Sequence, residues 1–401
     1  MATGKSWWDA DRIEPVLRDL VSAELARLRP GQPAVRPGCG DGASADPVAA
    51  DSLELLSIVT AVSRYFHLHE TGLDDLLLAR RGPADWARIV IRSRSAWDEA
   101  VTFATSGSTG EPKACTHPIA DLEAELDLLV ELFADRRRII GVQPTHHIYG
   151  FLFTVMLPAA LGIPVVDLRG VSPASLLRKT RPGDLVVAHP QLLDLVASVA
   201  SAVPNDVGVV TSTAPCGRST VDRLMAAGVS GVVEVYGSSE TAGIGYRRSP
   251  NAPYTLMPQW ARSRCDGRLL RGRTGLEAAV PDHLDWIGDR EFRVGARIDG
   301  AVQVGGINVF PSRVRDLLLQ HPGVADAAVR AMRRDEGGRL KAFVVPRAGP
   351  SAAASLSAEL SRWLDARLQS VEIPRSFTFG PALPVTAAGK PDDWLIARGD
   401  A

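Results

Sequence analysis

Apolar residues recur at three- and four-residue spacing through IEPVLRDLVSAELARL, which predicts an amphipathic helix ending near Leu28. A Gly- and Pro-rich loop follows, PGQPAVRPGCGDGASADP. Asp51-Ser52 then caps a second amphipathic run, LELLSIVTAVSRYFHL, with shorter apolar runs at LDDLLL and WARIVI. From about Val101 to Trp286 the period changes. Short apolar runs that read as strands (RIIGVQP, GIPVVDL, DLVVAHP, VGVVTS, GVVEVYG) alternate with helical segments (LEAELDLLVELF, LLDLVASVA, TVDRLMAAG). That alternation predicts an α/β domain with a largely parallel sheet. After Asp299 a smaller α+β unit follows, with a helix near LSAELSRWLDARL and a final loop reaching Lys390.

The stretch Ile148 to Val166 is almost free of polar side chains and approaches membrane-span length. Gly150, Pro158, Gly162 and Pro164 interrupt it, so it reads as a buried helix over about 150–161 followed by a strand, GIPVV. The N-terminus has no apolar core of a secretion signal, and the expected location is cytoplasmic.

Composition narrows the function classes. In 401 residues, 45 basic side chains stand against 46 acidic ones, so no cationic field is available for general nucleic-acid binding. The four cysteines are scattered without a CxxC pair, which argues against a disulfide framework or a zinc knuckle. The basic residues are skewed: five lysines (Lys5, Lys113, Lys179, Lys341, Lys390) accompany 45 − 5 = 40 arginines. Such a chain retains lysine by accident or where a compact, flexible ammonium cannot be replaced by a planar guanidinium.

Two of those lysines lie in the sharpest motifs. Thr105–Lys113 reads TSGSTGEPK. Its glycines let a loop bring backbone N–H groups, hydroxyls and one ammonium around phosphate oxygens, at a spacing that is not that of a Walker loop. The string resembles the phosphate loop of the ANL superfamily of adenylate-forming enzymes, and further motifs of that family follow in order. PTHHIYG (144–150) resembles its acyl-pocket motif; STAP (212–215) stands where family members run backbone along adenine. YGSSET (236–241) resembles YGxTE, WIGD (286–289) carries the ribose Asp, ARID (296–299) resembles the GRxD hinge, and LPVTAAGKPD (383–392) resembles LPxTxxGKxD.

The resemblance implies an α/β adenylating fold with a shortened large domain and a small, mobile α+β lid. The domains would be a helical, acyl-carrier-like segment (1–95), an adenylation domain (96–298) and the lid (299–401). It implies ATP and Mg²⁺. Nucleotide would be held by Thr105, Ser106, Gly107, Ser108, Thr109, Gly110, Lys113, Ser212, Thr213, Ala214, Pro215, Tyr236, Gly237, Ser239, Asp289 and Arg297. Glu240 would ligate magnesium, with Thr109 as a further candidate. His147, Tyr149, Gly150, His189 and Gly237 would border the acid, and Asp299 would be the pivot. The residues implied for catalysis are Lys390, His147 and Glu240. Two anions must meet in this reaction, and Lys390, Glu240-bound Mg²⁺ and Lys113 would form the cationic clamp that permits it. The carboxylate is ionised already, so no general base is required.

The early phosphate loop and GGINVFPSRV (305–314) resemble phenylacetate-CoA ligases and other aryl-acid activators. The N-terminal helices resemble those of short 4-hydroxybenzoate:acyl-carrier-protein ligases of xanthomonadin pathways. That second likeness implies activation of an aromatic acid, with 4-hydroxybenzoate the expected substrate. The acceptor thiol would belong to the phosphopantetheine of an acyl carrier protein or, alternatively, to CoA. DSLELLSIVTAVSRYFHL also resembles the helix after the phosphopantetheine serine of carrier proteins, making Ser52 a candidate modification site and Asp51-Ser52 otherwise a plain helix cap. A non-catalytic acyl-binding scaffold is the rival from another class; the joint presence of Lys113, Glu240, Asp289 and Lys390 opposes it.

Overall fold

The structure is a computed structural model, and it describes residues 7–29, 48, 50–105, 113–200, 202–265, 267–305, 307–333, 336–349, 353–385 and 392–396. The chain forms two compact units. One is built from Met1–Arg29, Pro33–Thr105 and Lys113–Gly295; the other is built on Ala296–Ala401.

The larger unit centres on a nine-stranded sheet. Its spatial order is Asp282–Trp286, Glu291–Arg297, Tyr254–Leu256, Ala242–Arg247, Val229–Ser238, Val207–Thr211, Asp184–Ala188, Arg138–Gly141, Val165–Asp167. The strands from Val229–Ser238 to Val165–Asp167 pair in parallel, as the sequence predicts. Asp184–Ala188 is buried at every position, which is why it reads as a continuous apolar run. Beyond Val229–Ser238 the pairing turns antiparallel, through Ala242–Arg247, Tyr254–Leu256 and Glu291–Arg297.

The N-terminal helices belong to this same unit. Ala10–Leu28 begins three residues before the predicted start because Asp9 caps it, accepting from the Arg12 N–H at 3.0 Å. Ser52–Phe66 begins on a capping box in which Asp51 accepts from the Leu53 and Glu54 N–H groups and Glu54 accepts from the Asp51 N–H. Their buried faces do not close into a separate bundle. Trp8, Tyr65 and Phe66 pack with Phe103 and Phe151 at centroid distances of 4.7–6.2 Å, so the described helices of this segment share one core with the sheet.

The apolar stretch after His147 is a buried helix, as expected, but not a uniform one. Ile148–Phe151 and Leu157–Leu161 are α-helical, and Leu152–Met156 between them is a π-helical turn. The strand Val165–Asp167 follows. No helix of the described residues is long and apolar enough to cross a membrane.

In the smaller unit, Val324–Ala331 pairs antiparallel with Leu340–Pro346, which pairs in parallel with Ser376–Phe379. The helices Pro311–Leu319 and Ala353–Asp365 contribute Val314, Leu318, Leu360 and Leu364 to its core. Lys341, completely buried, donates to Glu336 at 3.0 Å and to the Trp394 carbonyl at 2.6 Å, and pairs with Asp393 at 3.0 Å. It fastens residues 393–394 to the sheet, and the Asp392 N–H bonds the Pro384 carbonyl at 3.0 Å.

Candidate active site

Four of the sequence motifs leave the sheet at one edge. Gly141, Ala188, Thr211 and Ser238 end successive strands of the parallel array, so PTHHIYG, His189, STAP and the SSET turn all start from the carboxyl ends. That edge is where open α/β sheets present ligand-binding loops.

Each loop is fixed by a local device. Tyr149 is buried and its hydroxyl lies 2.9 Å from the Val210 carbonyl and 3.2 Å from that of Ala188, so it pins its helix across two strand ends. Gly150 lets that helix approach the preceding loop: a Cβ there would lie 1.9 Å from the Pro144 carbonyl oxygen. His189 caps Pro190–Val199, its Nδ1 accepting from the Leu192 N–H at 3.2 Å. His146 and His147 lie with ring centroids 4.2 Å apart; burial and the neighbouring ring hold the pKa of His146 well below its ordinary value. Ser212 is buried, and Thr213 adopts φ +79° with its hydroxyl oxygen buried and unpartnered within the described structure. A β-branched residue in the left-handed region carries strain of roughly 1–3 kcal/mol, and such strain concentrates at ligand sites.

The segments Ala100–Thr105 and Lys113–Pro118 form an antiparallel hairpin in which Thr105 faces Lys113. They bracket the phosphate loop; Ser106, Gly107, Ser108, Thr109 and Gly110 lie outside the described residues. Lys113 reaches Glu240 across the hairpin base, Nζ to Oε1 at 2.9 Å. Burial opposes ionisation of Glu240, but the Lys113 hydrogen bond and charge outweigh it and hold the carboxyl below its usual range.

The Glu240 turn is itself tightly specified. A Cβ on Gly237 would lie 2.1 Å from the Ala242 carbonyl oxygen, at a register shift between Tyr236 and Gly237. Ala242 takes φ +61°, and the Ser238 N–H bonds Thr241 Oγ1 at 3.2 Å. Tyr236 donates to Asp282 at 2.8 Å and sits within 6 Å of the Tyr254 and Phe292 rings.

The sequence matches the AMP-binding enzyme family over residues 43–312 and the AMP-binding enzyme C-terminal domain family over residues 314–390. The chain belongs to the AMP-binding enzyme family. A 4-coumarate–CoA ligase of Halorhodospira halophila is 36% identical over 389 residues, covering 95% of this chain and 98% of the relative. A protein of the same name from Rhodobacter capsulatus is 38% identical, covering 94% of this chain and 100% of the relative. Two solved structures share the fold at 19% identity. An amide bond synthetase of Marinactinospora thermotolerans has TM-score 0.59, covering 95% of this chain and 93% of that one. An o-succinylbenzoate CoA synthetase of Bacillus subtilis has TM-score 0.58, covering 72% and 67%.

This AMP-binding enzyme is therefore an adenylate-forming acid–thiol ligase of the ANL fold. Its residues fit the groups that such chemistry uses. Glu240 supplies an anionic oxygen of the kind Mg²⁺ takes, and the orphaned Thr213 hydroxyl offers a polar group to a ligand. Lys113, Tyr236, Gly237, Ser239 and Glu240 come together, while Ser212, Thr213, Tyr149 and His189 line the neighbouring strand ends. Asp289 is exposed in the bend between two strands, and among the described residues no hydrogen bond links it to the others. Arg297 and Asp299 belong to the smaller unit and pair with each other, Nε to Oδ1 at 2.8 Å, which lowers the Asp299 pKa. Lys390 lies outside the described residues. Ser52 is exposed in the first turn of its helix, with Asp51 as the cap.

Two residues near the Glu240 turn escape the motif reading. His117 bonds the Ser239 carbonyl at 2.6 Å, and Glu125 accepts from the Gly243 N–H at 2.8 Å. The usable signal was Glu125 itself: it falls between Leu122, Leu126 and Leu129 on the apolar stripe of its helix.

Proposed function

We propose that this AMP-binding enzyme activates an aromatic carboxylic acid as its acyl-adenylate and transfers the acyl group to the thiol of CoA. The acid is read as a para-hydroxylated aryl acid of the 4-coumarate or 4-hydroxybenzoate kind. What supports the substrate class is end-to-end similarity to two proteins named 4-coumarate–CoA ligase. What supports the chemistry is the Lys113–Glu240 pair, a cation and a carboxylate set together at the carboxyl edge of the sheet.

In the first step the acid's carboxylate oxygen forms a bond to the ATP α-phosphorus, and the bond to pyrophosphate breaks. Lys113 would hold the departing phosphates, and Tyr236, Ser212 and Thr213 would orient the adenine end. Glu240 would hold Mg²⁺, which when bound would neutralise charge on the phosphates. Lys390 would bridge the carboxylate and α-phosphate. Asp289 and Arg297 would bind the ribose. In the second step the thiol gives up its proton to solvent, its sulfur bonds the acyl carbon, and the bond from that carbon to AMP breaks. His147 would border the acid, and Asp299 would be the pivot between the two steps.

A carrier-protein thiol is the second reading, and the small unit's cations bear on it. Arg313 pairs with Glu372 at 2.6 Å, Arg333 pairs with Asp393 at 2.7 Å, and Arg315 and Arg339 donate to backbone carbonyls. Arg313 is thus held within the unit, whereas Arg315 and Arg333 remain about half exposed, and the CoA reading is supported instead by the two relatives named CoA ligases. Pyrophosphate release measured across aryl and alkyl acids tests the substrate class. Release with aromatic acids well above that with acetate or decanoate supports it; the reverse order overturns it.

A further inference from the structure

We propose that His117 and Glu125 are positioning residues that hold the Glu240 turn in register with the lysine end of the phosphate loop. The proposal rests on the reading of Glu240 as the magnesium ligand.

The segment that leaves Lys113 makes three successive contacts with the turn. Lys113 bonds Glu240 itself. His117, four residues on and on the same side of the strand, lies 2.6 Å from the carbonyl of Ser239, the residue before Glu240. Glu125, on the helix Ile119–Leu132, accepts from the N–H of Gly243, three residues after Glu240. A carbonyl only accepts, so His117 must carry its proton on Nε2. The turn therefore has one buried side-chain contact before its carboxylate and another after it, both from the stretch that starts at Lys113.

Both groups are about 1% exposed and stand where an apolar side chain would cost less. The His117 Nδ1 has no partner within the described structure, and burial keeps the ring neutral. Gly243 admits the carboxylate only because it lacks a side chain: a Cβ would lie 2.3 Å from Glu125 Oε1. A core optimised for packing alone would fill this region with carbon. These two groups instead each satisfy a backbone atom beside the proposed metal ligand.

The test compares His117→Ala and Glu125→Met with His117→Gln and Glu125→Gln, which retain a donor and an acceptor. For each, the half-saturating Mg²⁺ concentration, KM for ATP, KM for the acid and kcat are measured, with melting temperature as the folding check. Loss of either contact should raise half-saturating Mg²⁺ about tenfold or more. The acid KM should change little, and the glutamine variants should recover most of the loss. Should the truncations fail to fold, His117→Asn and Glu125→Asp shift the same atoms by roughly a bond length and should move Mg²⁺ dependence in the same direction. Glu240→Gln is the reference. In that background the His117 and Glu125 effects on Mg²⁺ dependence should largely vanish, because coupled residues are not additive. If Glu240→Gln itself leaves Mg²⁺ dependence unchanged, the metal-ligand reading fails. If it shifts that dependence but the His117 and Glu125 variants lower only the melting temperature, the positioning role is overturned.

Discussion

Lys113 and Glu240 are 127 positions apart in sequence and 2.9 Å apart in space. The pair joins the end of the phosphate loop to the turn after the central strand. Within the pair each charge neutralises the other. Once phosphates and a metal ion are present, each has a stronger partner, so the contact marks where those groups would enter. Lys113→Ala should raise KM for ATP by about tenfold or more, with a smaller change for the acid. Steady-state kinetics with each substrate varied in turn checks this; equal changes in both KM values would remove Lys113 from nucleotide binding.

Gly237→Ala tests the turn by sterics alone. Its Cβ has nowhere to go against the Ala242 carbonyl oxygen at 2.1 Å, so the register shift at Tyr236 must rearrange. Activity should fall by about two orders of magnitude or more, for a residue with no side-chain chemistry of its own. Melting temperature measured alongside should fall by a few degrees, since backbone clashes commonly cost about 1–3 kcal/mol.

How much of this was legible follows the physics of burial. The parallel strands could be read because both faces of Asp184–Ala188 and its neighbours are covered, leaving unbroken apolar runs. The antiparallel part is built from pieces as short as Tyr254–Leu256, and three residues carry too little pattern to be found. The helix start at Ala10 was hidden because Asp11 and Arg12 fill its first turn and the apolar spacing only begins at Ile13. The closeness of Lys113 to Glu240 agrees with the motifs that carry them, since both were singled out as residues of one phosphate and metal site. His117 was not, because a histidine in KACTHP has no spacing partner, and its partner Ser239 is 122 positions away. The φ of +79° at Thr213 leaves no trace in composition at all.

Glu125 makes a pH prediction. Burial raises its carboxyl pKa from an ordinary 4.5 to about 7, against the Gly243 hydrogen bond and the Arg271 charge, which lower it. The folded state thus holds a proton that the unfolded chain has released between about pH 4.5 and 7, so stability falls as pH rises through that window and levels above it. The full cost is on the order of 3 kcal/mol. Glu125→Gln avoids the charge while retaining an acceptor, so its melting temperature relative to the unmodified protein should rise from pH 5 to pH 8. A gap independent of pH would show that Glu125 is not protonated near neutrality.

Beside Lys113, Lys341 is a second lysine whose retention has a visible reason. It is wholly buried, with Glu336, Asp393 and the Trp394 carbonyl around one nitrogen. Lys341→Met would leave the acidic pair without its cation, and removing one partner of a buried ion pair costs about 3–5 kcal/mol. Denaturant unfolding should show the smaller unit losing stability, with the larger unit's transition little changed. A Lys341→Arg variant should not restore it, because the planar guanidinium does not fit a site shaped for an ammonium.

Lys390 should matter to one half-reaction only. Lys390→Ala should reduce adenylate formation by about a hundredfold or more while leaving thioester formation from supplied acyl-adenylate within about threefold. Equal loss in both would contradict a lid that uses this lysine in one pose.

The most direct measurement is the product itself. The protein, ATP, Mg²⁺ and CoA are incubated with 4-coumarate or 4-hydroxybenzoate, and thioester and AMP are quantified by mass spectrometry. The CoA thioester of the acid and AMP should form in equal amounts, both lost without the acid and both strongly reduced in Glu240→Gln. AMP formed with no thioester on CoA, or no acid-dependent AMP from any aromatic acid, would contradict the CoA-ligase reading.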